Sequence, residues 1–167
     1  FFLHPHAGIR DAQESRGLGD VYKRQKCRKA KRPALITYTV AGDNTKNNSL
    51  KILNKISKHA DILELGFPHN TPIADGGQIQ GSSHRALKNG IKLKDVFQIV
   101  KKFKKNNPSK PVILMGYFNL IYQNGEDSFL KNCKDMFLIC SFCILPLGIG
   151  PTFKSKLLSY PAALIKY

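Results

Sequence analysis

The sequence predicts an α/β fold built on parallel strands, and three observations predict it. Short strand-like runs recur at 34–40, 61–66 and 111–117, the first of them β-branched and aromatic. Stretches with apolar residues at helical spacing separate them. The order βαβαβα then points to parallel strands joined by right-handed crossovers. The 167 residues suffice for one domain, about 150 being the usual size. They fall short of a complete (β/α)8 barrel, which takes ~250. A hydrophobic content of 42% excludes global disorder.

The elements follow in order from Pro33. Ala34-Leu35-Ile36-Thr37-Tyr38-Thr39-Val40 reads as a buried strand, closed by the turn residues Ala41-Gly42-Asp43-Asn44. Residues 47–58 place Leu50, Leu53 and Ile56 on one helical face, with Ile52 beside them. A short strand at 61–66 ends at Gly66-Phe67-Pro68, and 67–76 form a loop. Residues 77–89 read as a helix stopped by Asn89-Gly90. The clearest helix is 93–105, where Leu93, Val96, Phe97, Val100 and Phe103 form the apolar stripe and lysines fill most of the other side. Asn106-Asn107-Pro108 stops it. Residues 111–117 make a third strand and 126–134 a further helix. Residues 136–145 are apolar enough for a fourth strand. The apolar run through Gly150 spans ~15 residues and includes Pro146, short of the ~20 that cross a membrane.

The ends differ from the middle. Residues 1–25 show no strand or helix period and no secretory signal. Their last five, Val21-Tyr22-Lys23-Arg24-Gln25, read as a translation of GTG TAT AAG AGA CAG, which resembles the transposase end used to build sequencing libraries. Residues 1–25 are therefore expected to be adapter-derived or disordered, 26–135 to form the domain, and 136–167 to be an aberrant apolar tail.

Basic residues outnumber acidic ones by 27 to 11, giving a net charge of +16 spread along the chain. Lysine-rich helix surfaces account for this; the alternative is a nucleic-acid-binding module using lysines 92–105 and the basic stretch 26–32. Four cysteines are too few for a disulfide scaffold. Cys140 and Cys143, with Cys133 upstream, lack a second ligand pair, so core packing is expected rather than zinc.

One strand carries a chemical signal. Side chains alternate across a strand, so Ile62, Glu64 and Gly66 share one face and Leu63 and Leu65 the other. On an interior face Glu64 is a carboxylate among apolar groups, and its pKa should rise toward values that suit general acid–base work. The alternative is an edge or solvent-facing glutamate.

The next loop adds context. LELGFP at 63–68, PIADG at 72–76 and MGYFNLIYQNG at 115–125, with ITYTVAGD at 36–43, resemble the alpha subunit of tryptophan synthase over about residues 30–135. The resemblance implies a partial (β/α)8 TIM barrel of three to four βα units. It implies a lyase that cleaves indole-3-glycerol phosphate into indole and glyceraldehyde 3-phosphate in tryptophan biosynthesis. Glu64 matches the family's acid/base, and Asp75, eleven positions on, the carboxylate that accepts a hydrogen bond from the indole nitrogen. Tyr38 and Tyr117 match positions lining the indole pocket; for either alone, core packing is the alternative. No cofactor is implied, since pyridoxal phosphate belongs to the beta partner of an alpha2beta2 complex. A cytoplasmic location is implied too, with no metal, nucleic acid or membrane involved.

The departures are specific. Thr71 replaces an acidic residue and His69 an aromatic, in a loop that usually faces the beta subunit. Asn44 stands where proline is usual. Beyond Asp135 the family's glycine- and aspartate-containing fourth strand is not matched, and Gly148-Ile149-Gly150 resembles a phosphate loop only superficially. A chain lacking the family's phosphate-binding half is expected to be inactive alone, or a non-functional reading frame.

Overall fold

Pairing of β-branched and aliphatic runs builds the centre of the molecule. In the computed structural model, which describes residues 19–136 and 139–144, four strands form one sheet. They are β1 (Ile36–Val40), β2 (Ile62–Gly66), β3 (Val112–Tyr117) and β4 (Ile139–Ile144). Their spatial order is β1-β2-β3-β4, and every pair is parallel. The register sets Tyr38 beside Glu64, Glu64 beside Ile113, and Ile113 beside Ile139.

Period-two alternation gives the sheet two faces. Leu63, Leu65, Val112 and Leu114 point to one of them and are fully buried. They pack in a core with Leu53 of α2 (Lys46–Ile56), Val96, Val100 and Phe103 of α4 (Leu93–Asn106), and Phe129, Leu130 and Cys133 of α6 (Glu126–Asp135). Phe129 meets Phe67 and Phe97 edge-on, with centroids 6.2 and 5.4 Å away. Each such buried side chain stabilises the fold by about 1.5–3 kcal/mol. The opposite face carries Ile36, Tyr38 and Val40 of β1, Ile62, Glu64 and Gly66 of β2, and Ile113, Met115 and Tyr117 of β3.

Polar links fix the helices to the sheet. Thr45 caps α2 by accepting from the Asn48 N–H at 3.0 Å. The Gly42 N–H donates to Ser49 Oγ at 2.6 Å inside the fold. Gly42 has φ +78° and lies against the Ile91 side chain, so both conformation and space demand glycine. Asn44 takes φ +67°, which a proline ring forbids; the turn is built differently from one with proline there. Arg85 of α3 (Gly77–Lys88) grips Asp43 in that turn with two hydrogen bonds of 2.7 and 2.9 Å.

Two helices depart from the expectations. α1 (Gly19–Lys29) runs across the boundary expected at residue 25. Its Cys27 is buried, and the chain leaving it is fastened where Arg32 donates twice to Asp61 at 2.7 Å. The Leu35 N–H donates to the same carboxylate. The Arg32 guanidinium, then the Leu35 N–H, hold the Asp61 carboxyl well below the usual range. α5 (Phe118–Asn124) follows β3 without a break and no period in the sequence announced it. The expected fourth strand forms as β4. Residues 1–18 and 145–167, including Gly148-Ile149-Gly150, lie outside the described residues.

Candidate active site

The second sheet face gathers the titratable and phenolic groups. Tyr38 and Glu64 are register partners on neighbouring strands and so point to the same side. Gly66 lies one step further along that face, and a side chain there would collide with the Tyr38 phenol. The glycine thus lets the phenol lie across β2 beside Glu64. Tyr117 ends β3 on the same face, two positions beyond Met115, the register partner of Gly66.

Glu64 is half-buried, and that burial raises its carboxyl above the usual glutamate value; the nearby charge of Arg24 acts in the opposite direction. A glutamate poised this way exchanges protons closer to neutrality than an exposed one.

The loop after β2 returns to the rim of this face. Its carboxylate, Asp75, accepts a hydrogen bond from the Tyr117 hydroxyl at 3.2 Å through Oδ2. The same hydroxyl accepts from the Ala74 N–H at 3.1 Å. The Gln80 side-chain amide donates to the Asp75 carbonyl at 2.8 Å, joining the loop to the first turn of α3. Asp75 Oδ1 has no hydrogen-bond partner among the described residues, so it is available to an N–H donor on a ligand.

Three of the four residues singled out in the sequence therefore share one face of the sheet, and the fourth is tied to that face by Tyr117. Sequence reasoning gave no structural part to His69. It is only 8% exposed, stacks on the Tyr117 ring at 4.5 Å with 20° between planes, and accepts at Nδ1 from the Thr71 N–H at 3.0 Å. The Asn119 side-chain amide of α5 lies 3.0 Å from its Nε2. The usable signal was a lone histidine in a polar loop just past a strand end, where binding groups concentrate. Cys133 packs in the hydrophobic core, and no cluster of three or more metal-ligating side chains occurs among the described residues. None of the described helices is long and apolar enough to cross a membrane.

Residues 24–145 match the family model for the tryptophan synthase alpha chain, beyond the 30–135 span legible from motifs on both sides. A tryptophan synthase alpha chain of Pelagibacter ubique (strain HTCC1062) is 69% identical over 110 residues, which is 66% of this chain and 42% of that protein. The solved tryptophan synthase subunit alpha of Legionella pneumophila str. Paris aligns with a TM-score of 0.82 at 29% identity, over 89% of this chain and 57% of that one. The solved tryptophan synthase complex of Pyrococcus furiosus aligns with a TM-score of 0.73 at 38% identity, over 79% and 55%. The chain thus spans less than half the length of the curated relatives it matches. Its four consecutive parallel strands are those of a partial (β/α)8 barrel.

Proposed function

Because this chain belongs to the tryptophan synthase alpha chain family, we propose that its sheet face contributes the acid–base half of the site that cleaves indole-3-glycerol phosphate. The observation that carries the reading is the half-buried Glu64 on the sheet face it shares with Tyr38 and with Tyr117, the residue whose hydroxyl meets Asp75.

Protonated Glu64 delivers its proton to indole carbon 3, and the ring becomes an indoleninium cation. Asp75 accepts a hydrogen bond from the ring N–H and stabilises the growing positive charge. The Glu64 carboxylate then takes the proton of the side-chain hydroxyl. The bond from carbon 3 to the side chain breaks, its electron pair restores the aromatic ring, and the oxygen becomes the aldehyde of glyceraldehyde 3-phosphate. Glu64 ends protonated, as it began, so the cycle needs no outside proton. Tyr38 and Tyr117 line the indole site. The phosphate is held by elements supplied from outside this chain's described residues. No cofactor takes part; pyridoxal phosphate belongs to a beta subunit, the partner proposed for the complete enzyme, in the cytoplasm.

The test joins a family C-terminal half after Asp135 and measures indole release. Glu64→Gln and Asp75→Asn should each lower kcat by at least ~100-fold while leaving the far-ultraviolet circular dichroism unchanged. Turnover retained in either variant overturns these roles. The 167-residue chain alone is proposed to be inactive.

A further inference from the structure

The loop that carries Asp75 is held at its backbone by Gln80, which donates to the Asp75 and Pro72 carbonyls, but apolar burial adds little to it. Asn70, Thr71, Ile73 and Ala74 are exposed, Ile73 to 77%. Segments with few buried contacts open locally at small cost. The Asp75 side chain itself is met by the Tyr117 hydroxyl at one defined oxygen, so the direction of its carboxylate depends also on what fixes the Tyr117 ring.

One face of that ring is covered by His69. Two polar contacts hold the imidazole in turn. Its Nδ1 accepts from the Thr71 N–H, so the neutral ring carries its proton on Nε2. Asn119 Nδ2 is placed 3.0 Å from that nitrogen; turning the amide over, which exchanges its nitrogen and oxygen, brings Oδ1 there to accept from the Nε2–H. The imidazole is thus tied to its own loop on one side and to α5 on the other, with the phenol stacked against it. The phenol hydroxyl reaches back to the same loop at Ala74 and Asp75. Loop and strand end close a ring of contacts in which the histidine is the shared member.

We infer that His69 is a positioning residue that acts through Tyr117 to place the Asp75 carboxylate at the rim of the sheet. The inference rests on the reading that Asp75 serves a ligand there, but its test does not require turnover. A ring at position 69 supplies the stack; only a ring with nitrogen at both positions supplies the two ties as well.

The experiment uses the full chain, with amide hydrogen exchange and the carboxyl carbon-13 resonance of Asp75 as readouts. Tyr117→Phe gives the reference for an Asp75 released from the phenol. In His69→Ala, exchange at Ala74 should speed up by about tenfold or more, and the Asp75 resonance should move toward the Tyr117→Phe position. His69→Phe keeps the stack and loses the ties, so it should fall between parent and His69→Ala. Amides of Leu65 and Leu114 in the sheet report whether the fold persists. Ala74 exchange and an Asp75 resonance unchanged in His69→Ala would overturn the inference. If the sheet amides open in that variant, His69→Phe decides: a displaced Asp75 resonance supports the role, and a parent-like one overturns it. Loss of turnover in Asp75→Asn bears on the reaction alone, so the two readings fail separately.

Discussion

Glu64 binds its proton more tightly in the folded chain than in the unfolded one, because burial raises its carboxyl despite the pull of Arg24. The stability linked to this group is fully present below the unfolded value, near pH 4.3. It is lost as pH rises through the higher folded value. Glutamine cannot ionise and escapes that loss. Glu64→Gln should therefore melt above the parent at pH 7, with the gap closing toward pH 4. Water reaches part of the carboxyl and screens the effect, so the expected gain is about 1–2 °C in Tm. Thermal melts at the two pH values check it; a lower Tm for the glutamine variant at pH 7 would contradict the assigned burial. Alternation along β1 and β2 made the shared face of Tyr38 and Glu64 legible, since a period of two needs only the order of residues. The part of His69 was not legible. Its bonds to Thr71 and Asn119 depend on how the loop turns after Pro68, and no period encodes that.

At the level of elements, α4 shows how a strong stripe still needs a well-made start. Its N-cap is Lys92, which makes no side-chain cap. Asp95, three residues in and only 3% exposed, reaches back to accept from the Lys92 N–H at 3.0 Å. Its other oxygen accepts from Lys46 Nζ of α2 at 2.7 Å. One carboxylate thus begins one helix and fastens another. Lys46, first, and the Lys92 N–H hold that carboxyl below its usual value. Its contribution is present above about pH 4 and is lost as pH falls through the depressed folded value. Asp95→Ala should cost about 1–2 kcal/mol near pH 7, less as the pH is lowered toward 3. Urea denaturation at both pH values measures this, and an unchanged midpoint at pH 7 would refute it. The stripe of α4 was plain because five apolar residues, Leu93 to Phe103, repeat at helical spacing within a fourteen-residue helix. α5 has seven residues and starts directly after the last position of β3, too short to display a period. Five of the eleven residues of α1 are basic, and Cys27 is buried among them, so no stripe marks it.

Across the whole molecule, the sheet has β1 at one edge and β4 at the other, and neither is paired on its outer side among the described residues. Leu35 is 51% exposed and Ile36 38%, where β1 begins. Open edges of this kind offer backbone donors and acceptors to another chain. The 18.7 kDa chain should therefore run as larger species at micromolar concentration, and Leu35→Lys with Ile36→Lys should shift it toward the monomer. Size-exclusion chromatography with light scattering decides; a monodisperse monomer for the parent would contradict the open-edge account. The +16 charge opposes association at low ionic strength, so added salt should strengthen it.

The neighbour order β1-β2-β3-β4 also bears on how the chain is made. Each strand lies against the one synthesised just before it. A sheet wired this way can grow at the ribosome exit in the direction of translation, every new βα segment docking on a surface already in place. Each of these four strands finds its first partner in a neighbour in sequence, and the loops closed between them stay short. The half-built sheet is thus a natural stage of synthesis, already carrying Tyr38, Glu64, Asp75 and Tyr117 before any residue past 117 has left the tunnel.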